Sequence, residues 1–155
     1  MTPGQEGRTL LVSQIKDGTV IDHITAGEAL NVLTILGIAG TTSENLSIAT
    51  NVSSRREGRK DILKISGREL RKEEVDRIAL IAPHATINII RDYEVVEKKG
   101  VTVPPVIRGV VRCPNPGCIS NAKEPIESAF EVLGPELRCC YCDWMITKDI
   151  ASHII

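Results

Sequence analysis

The stretch Glu97-Lys98-Lys99-Gly100-Val101-Thr102-Val103-Pro104-Pro105 decides the architecture. A charged, glycine-containing turn that runs into Pro-Pro is extended, and suits neither a helix interior nor a central strand. It marks a domain boundary near residues 97–105. On its N-terminal side strand-like and helix-like patterns alternate and no cysteine occurs; on its C-terminal side helical periodicity fades and all five cysteines appear. Two domains are expected, residues 1–100 and 101–155.

Working outward to the N-terminal side, Thr9-Leu10-Leu11-Val12-Ser13-Gln14-Ile15 reads as a strand that ends at an Asp17-Gly18 turn. Residues 26–36 carry apolar side chains at 29, 30, 32, 33, 35 and 36, then Gly37, the pattern of a buried helix with a glycine cap. Residues 45–52 and 61–65 are apolar, β-branched runs around a polar loop, which predicts a hairpin. Residues 71–81 place Val75, Ile78, Ala79 and Ala82 on one helical face, stopped by Pro83. Residues 85–90 and 93–96 read as one interrupted strand. The order strand, helix, strand, strand, helix, strand predicts an α+β fold: a split βαβ (ferredoxin-like) sandwich with two helices on one face of an antiparallel sheet.

On the C-terminal side, Cys113-Pro114-Asn115-Pro116-Gly117-Cys118 is a C-x4-C loop, and Cys139-Cys140-Tyr141-Cys142 contains C-x2-C. Two tight turns from separate hairpins can aim four sulfurs at the corners of a tetrahedron, as zinc requires. The expected ligands are Cys113, Cys118, Cys139 and Cys142, with Cys140 left out. Four cysteines close the coordination sphere, so the zinc is expected to be structural in a small all-β, zinc-ribbon-like domain. Some fifty residues bury little core alone, and the metal compensates. Two disulfides are the competing use of four cysteines, since some thermophile cytosols tolerate them.

The 155 residues are 42% apolar and 25% charged, an ordinary globular mixture with a net charge of -1, which argues against a globally basic nucleic-acid coat. No apolar run approaches the roughly 18 residues of a membrane span. The N-terminus lacks a signal-peptide pattern, so a cytoplasmic chain is expected, with no membrane partner. Gly-x-Gly-x-x-Gly and Walker loops are absent, as are His-Glu-x-x-His and Gly-x-Ser-x-Gly, and no carboxylate pair stands out, so nothing argues for catalysis. RNA-binding sandwiches stack bases on strand aromatics. The strands read at 9–15 and 61–65 have none, and the basic loop at residues 55–60 reads as a solvated hairpin. One polar cluster remains. Lys60, Asp61 and Lys64 flank the third strand and Lys98 ends the last; Asp22, His23 and these lysines, at neighbouring strand ends, could surround a polyphosphate and ribose, and Lys60 and Lys64 share a strand face.

Five stretches then resemble the regulatory chain of aspartate carbamoyltransferase. They are Lys16-Asp17-Gly18-Thr19-Val20-Ile21-Asp22-His23-Ile24, Gly58-Arg59-Lys60-Asp61-Ile62-Leu63-Lys64-Ile65, Ala82-Pro83-His84-Ala85-Thr86-Ile87-Asn88, Asp92-Tyr93-Glu94-Val95-Val96, and the loop from Val111 to Ser120 with its Cys139 and Cys142 partners. The resemblance implies a non-catalytic subunit of pyrimidine biosynthesis. Its first domain would bind CTP, ATP or UTP and pair with its copy in a regulatory dimer. Its zinc domain would dock on the catalytic chain, in a holoenzyme of six regulatory and six catalytic chains. Carried over by position, Val12 and Ile15 would flank the base, with backbone groups near Ile15 and Tyr93 reading its edge. Asp22 and Lys64 would meet ribose and base, and His23 and Lys98 the phosphates. Lys60, Asn88, Ile90 and Val95 would complete the pocket.

Overall fold

The computed structural model describes residues 15–38, 45–55, 58–123 and 126–155. They divide into two compact units on either side of the Val101–Thr102 step. Most of the strand expected at residues 9–15, Val12 included, lies outside the described residues.

In the first unit the elements are β1 (Gly18–Thr25), α1 (Ala29–Ile35), β2 (Leu46–Ser54), β3 (Gly58–Ser66), α2 (Lys72–Ile81), β4 (Thr86–Arg91) and β5 (Glu94–Gly100). The sheet runs β2-β3-β1-β4-β5, every pair antiparallel. Its first four strands carry the split βαβ order, and β5 extends the edge. Along β1 and β3 alternate residues turn inward, so Ile21, Leu63 and Ile65 are buried with Ile87 of β4 and with Val32, Ile78 and Ala79 of the two helices. Each fully buried aliphatic side chain of this kind contributes about 1.5–3 kcal/mol.

Two sequence readings need correction. Gly18, expected in a turn, opens β1, and residues 19–23 lie within that strand. Gly18 pairs with Ser66 on one side and Ile90 on the other, and a Cβ there would stand 2.1 Å from the Ile65 carbonyl oxygen. A glycine needed for close backbone approach thus imitates a turn. Likewise residues 85–96 form a hairpin rather than one interrupted strand. Asp92 and Tyr93 both take left-handed backbone angles (φ 51 and 67), which suits a two-residue turn between β4 and β5. The Tyr93 N–H donates to the Lys16 carbonyl (2.9 Å) and the Asp92 N–H to Asp17 Oδ1 (3.1 Å), which fixes the turn without glycine.

Asp61, which the sequence places with the polar cluster, faces the other way. Its fully buried carboxylate accepts the N–H groups of Gly27 (3.0 Å), Ala29 (3.1 Å) and Asn51 (2.8 Å). The anion is satisfied by backbone at the start of α1 and at a bulge in β2, so it orders the unit.

The second unit is a four-stranded antiparallel sheet, β6 (Val106–Arg108), β7 (Ala129–Leu133), β8 (Glu136–Cys139) and β9 (Met145–Ile146), in that order. Phe130, Leu137, Val111, Ile107 and Ile146 form its small core. Pro105 belongs to this unit, since its carbonyl accepts the Val132 N–H at 2.9 Å. The chain end is tied in as well, with Arg112 N–H on the His153 carbonyl (2.8 Å) and a bridge between Val111 and Ile154.

Candidate functional site

The second unit brings four cysteines together. The sulfurs of Cys113, Cys118, Cys139 and Cys142 all lie within 4.8 Å of one another, while Cys140 is exposed outside the group. The Cys113–Cys142 and Cys118–Cys139 sulfurs are 3.6 and 3.7 Å apart. A disulfide requires about 2.05 Å. Four thiolates about 2.3 Å from a central ion form a tetrahedron with edges of about 3.8 Å, so the donor set fits a tetrahedral metal.

Local chemistry aims these sulfurs. The Cys118 N–H donates to the Asn115 carbonyl (3.1 Å) and the Gly117 N–H to Asn115 Oδ1 (3.0 Å), closing the first loop. Asn121 Nδ2 donates to the carbonyls of Cys113 and Asn115, both at 2.8 Å. The second loop joins β8 to β9, with the Cys139 N–H on the Trp144 carbonyl (2.8 Å). Only this second loop sits in a hairpin; the first lies on the long connection from β6 to β7, which corrects the expectation of two hairpins. Burial pushes the Cys113 and Cys139 thiols up. For Cys142 burial is outweighed by hydrogen bonds from the Asn115 side chain and the Trp144 backbone, which bring it down to about 7. A central metal cation would supply the positive charge that four clustered thiolates need.

The first unit gathers a polar face on the side of the sheet away from the helices. One cross-strand row runs Lys64–Val20–Asn88–Lys98 over β3, β1, β4 and β5. Ile90 and its partner Val95 lie one pleat along on the same face, next to the Tyr93 turn, whose N–H reaches back to Lys16 beside Ile15. In the other direction lie Asp22 and Lys60, joined by a 2.9 Å ion pair. Between Ile21 and Ile24 β1 has a bulge, with His23 at φ 56. Because of that extra residue Ile21 and Ile24, three apart, both point into the core and both are fully buried. The bulge thereby frees Asp22 and His23 for the opposite side. His23 Nδ1 lies 3.2 Å from Thr86 Oγ1, and Thr86 is two residues from Asn88. Thr86 was not singled out from the sequence, although its i, i+2 spacing to Asn88 was the available signal.

Register separates the two adjacent lysines of β5. Lys98 is opposite Asn88 on the polar face, whereas Lys99 is opposite Ile87 and 3.7 Å from Glu97. Past Thr86 the face opens into a cleft of ≈ 420 Å³ lined in part by His84, Lys98 and Lys99. Partial burial pushes the Lys64 ammonium down from its ordinary value. Thus Ile15, Asp22, His23, Lys60, Lys64, Asn88, Ile90, Tyr93, Val95 and Lys98 occupy neighbouring strands and turns of one sheet, and Val12 falls outside the described residues.

Both units match known domains. The allosteric domain of the aspartate carbamoyltransferase regulatory chain matches residues 10–102, and the metal binding domain of the same chain matches residues 105–152. The chain belongs to that family. It is 71% identical to the aspartate carbamoyltransferase regulatory chain of Methanoculleus marisnigri, with both chains covered completely. The corresponding chain of Methanosphaerula palustris is 65% identical, over 97% of this chain and 98% of its own. That of the more distant Natronomonas pharaonis is 56% identical over 94% and 95%. The protein is therefore a regulatory, non-catalytic chain with an allosteric domain and a metal-binding domain. The four-cysteine cluster lies in the matched metal-binding domain, and the polar face lies in the allosteric one. Among the described residues no helix is long and apolar enough to cross a membrane.

Proposed function

We propose that the polar face of the five-stranded sheet binds a nucleoside triphosphate, CTP, ATP or UTP, and that the chain passes the effect to catalytic subunits of aspartate carbamoyltransferase. The observation that carries this reading is the Lys64–Val20–Asn88–Lys98 row, flanked by Asp22, His23 and Lys60. It offers amide and apolar surface for a base at the Ile15 and Tyr93 end, and a carboxylate for ribose hydroxyls. For phosphates it offers the His23 imidazole and the Lys98 ammonium, both groups that can donate to anionic oxygens. Lys64, already partly desolvated, loses little further hydration when a ligand covers it.

The metal unit holds zinc in a closed four-thiolate site, a structural role, and docks on the catalytic chain. Tyr141, Trp144 and Met145 around the second cysteine loop are exposed, apolar in body and adjacent in sequence, which suits them to a partner surface. Regulatory chains pair through their allosteric domains and assemble in the cytoplasm with catalytic trimers, six chains of each kind. An effector shifts the assembly only by binding its quaternary states with different affinity.

The test is the rate of carbamoyl-aspartate formation by the cognate catalytic trimer, with and without this chain, each with and without CTP or ATP. Nucleotide dependence that needs the chain supports the proposal and gives the sign of each effector. A rate indifferent to both, with the metal in place, sinks it.

A further inference from the structure

The β1 bulge carrying Asp22 and His23 has a counterpart. β2 bulges between Ala49 and Val52, with Asn51 at φ 54. Both irregularities abut the same short stretch of β3: β1 regains register at Asp61, and β2 regains it at Lys60. The Lys60–Asp61 step therefore lies between two distorted neighbours, and its two side chains point to opposite faces of the sheet. Lys60 meets Asp22 on the polar face at 2.9 Å. Asp61 holds the Asn51 amide of the β2 bulge and the Gly27 and Ala29 amides at the start of α1.

We infer that Asp61 is a positioning residue for the nucleotide pocket, holding Lys60 in place and coupling pocket occupancy to α1 and to the β2 bulge. The inference rests on the nucleotide reading above. A nucleotide that draws on either Asp22 or Lys60 competes with their ion pair, and any adjustment of that strand step is felt by a carboxylate with three fixed backbone donors on the far face. A buried anion so constrained cannot swing independently of its strand, because a lost N–H bond has no water to replace it. The sequence motif pointed at Lys60 and Lys64; Asp61 between them is the link from that face to the rest of the domain.

Asp61→Asn tests this in the full chain. The amide keeps the shape but turns an NH2 toward backbone N–H groups. At a temperature where the variant is folded, CTP affinity is expected to fall about tenfold, a difference of roughly 1.4 kcal/mol. In the wild-type chain, saturating CTP is expected to slow hydrogen exchange at the Gly27, Ala29 and Asn51 amides. The variant should show no such slowing. A folded variant that merely melts earlier, with its CTP affinity within about twofold of wild type, would reduce Asp61 to a structural residue and overturn the inference. If the variant does not fold, the wild-type exchange decides: unchanged rates at those three amides on CTP saturation overturn it. A wild-type chain that binds neither CTP nor ATP fails differently, removing the nucleotide reading and this inference with it.

Discussion

The two units of the chain solve the same stability problem by different means. The allosteric unit buries whole aliphatic side chains from three strands and two helices, Ile21, Leu63, Ile65, Val32 and Ile78 among them. Among its described residues the metal unit has two helical turns of 3-10 type, short strands and a core centred on Phe130 and Leu137. Three of its buried residues, Cys113, Cys118 and Cys139, belong to the thiol cluster. What the first unit obtains from area, the second obtains from coordination. This difference predicts that one treatment can unfold one unit and spare the other.

Chelation is the strongest form of that treatment. Structural zinc in small domains contributes an apparent 10–16 kcal/mol or so, more than a core of this size can replace. Removing the metal is expected to unfold residues 102–155 and abolish docking on catalytic trimers, while the allosteric unit keeps its amide protection. The single tryptophan, Trp144, lies in the metal unit, so its fluorescence reports that unit alone. Trimers still captured by metal-free chain would show that docking does not need the metal fold. The converse experiment is Leu63→Ala, which opens a cavity among fully buried side chains and should cost about 2–5 kcal/mol. Denaturant unfolding of the variant should shift the allosteric transition while metal content and the Trp144 signal hold steady.

The contrast extends to how each unit is encoded. The thiol cluster was legible in the sequence, because two short cysteine spacings predict two loops, and the structure gathers the same four sulfurs with Cys140 outside them. The allosteric unit was legible as an element order, since apolar periodicity gave α1, α2 and the β2–β3 hairpin close to their observed limits. It failed where a residue did something unusual for its type. Gly18 is in a strand because another backbone passes too near for a Cβ, and Asp92-Tyr93 turns without glycine because Lys16 and Asp17 hold it. Asp61 reads with the polar cluster because nothing in local sequence shows three backbone donors arriving from residues 27, 29 and 51.

Charge inside the allosteric unit gives a smaller, pH-dependent effect. Glu74 is buried at the start of α2, where it accepts the Arg71 N–H at 3.0 Å and pairs with Arg68. Burial alone would raise its pKa, but the Arg71 N–H and the Arg68 guanidinium together lower it. A carboxyl lowered in the folded state adds stability that is fully present above its unfolded value, about 4.3, and is lost as pH falls through the folded value. Acid should therefore weaken the allosteric unit in part through this group. Glu74→Gln should cost about 2 kcal/mol at neutral pH, the scale of a hydrogen bond to a charged group, and flatten the acid limb of a stability–pH curve. An unaltered acid limb in the variant would assign that dependence to other carboxyls.

The smallest expected effect is the sharpest test of the metal set. Within Cys139-Cys140-Tyr141-Cys142, two sulfurs point into the cluster, while Cys140 is exposed and outside it. The Cys140 backbone is useful, its N–H donating to the Ala129 carbonyl at 2.9 Å, but serine keeps that bond. Cys140→Ser should thus change stability by no more than about 0.5 kcal/mol, with metal content unaltered by elemental analysis. Cys118→Ser, by contrast, removes a buried thiolate from a closed tetrahedron and should lose the metal with the fold of its unit. If the Cys140 variant lost metal and the Cys118 variant kept it, coordination would run through a different set of sulfurs. The exposed thiol would then be a ligand and the buried one a core residue, which reverses the way burial divides these five side chains.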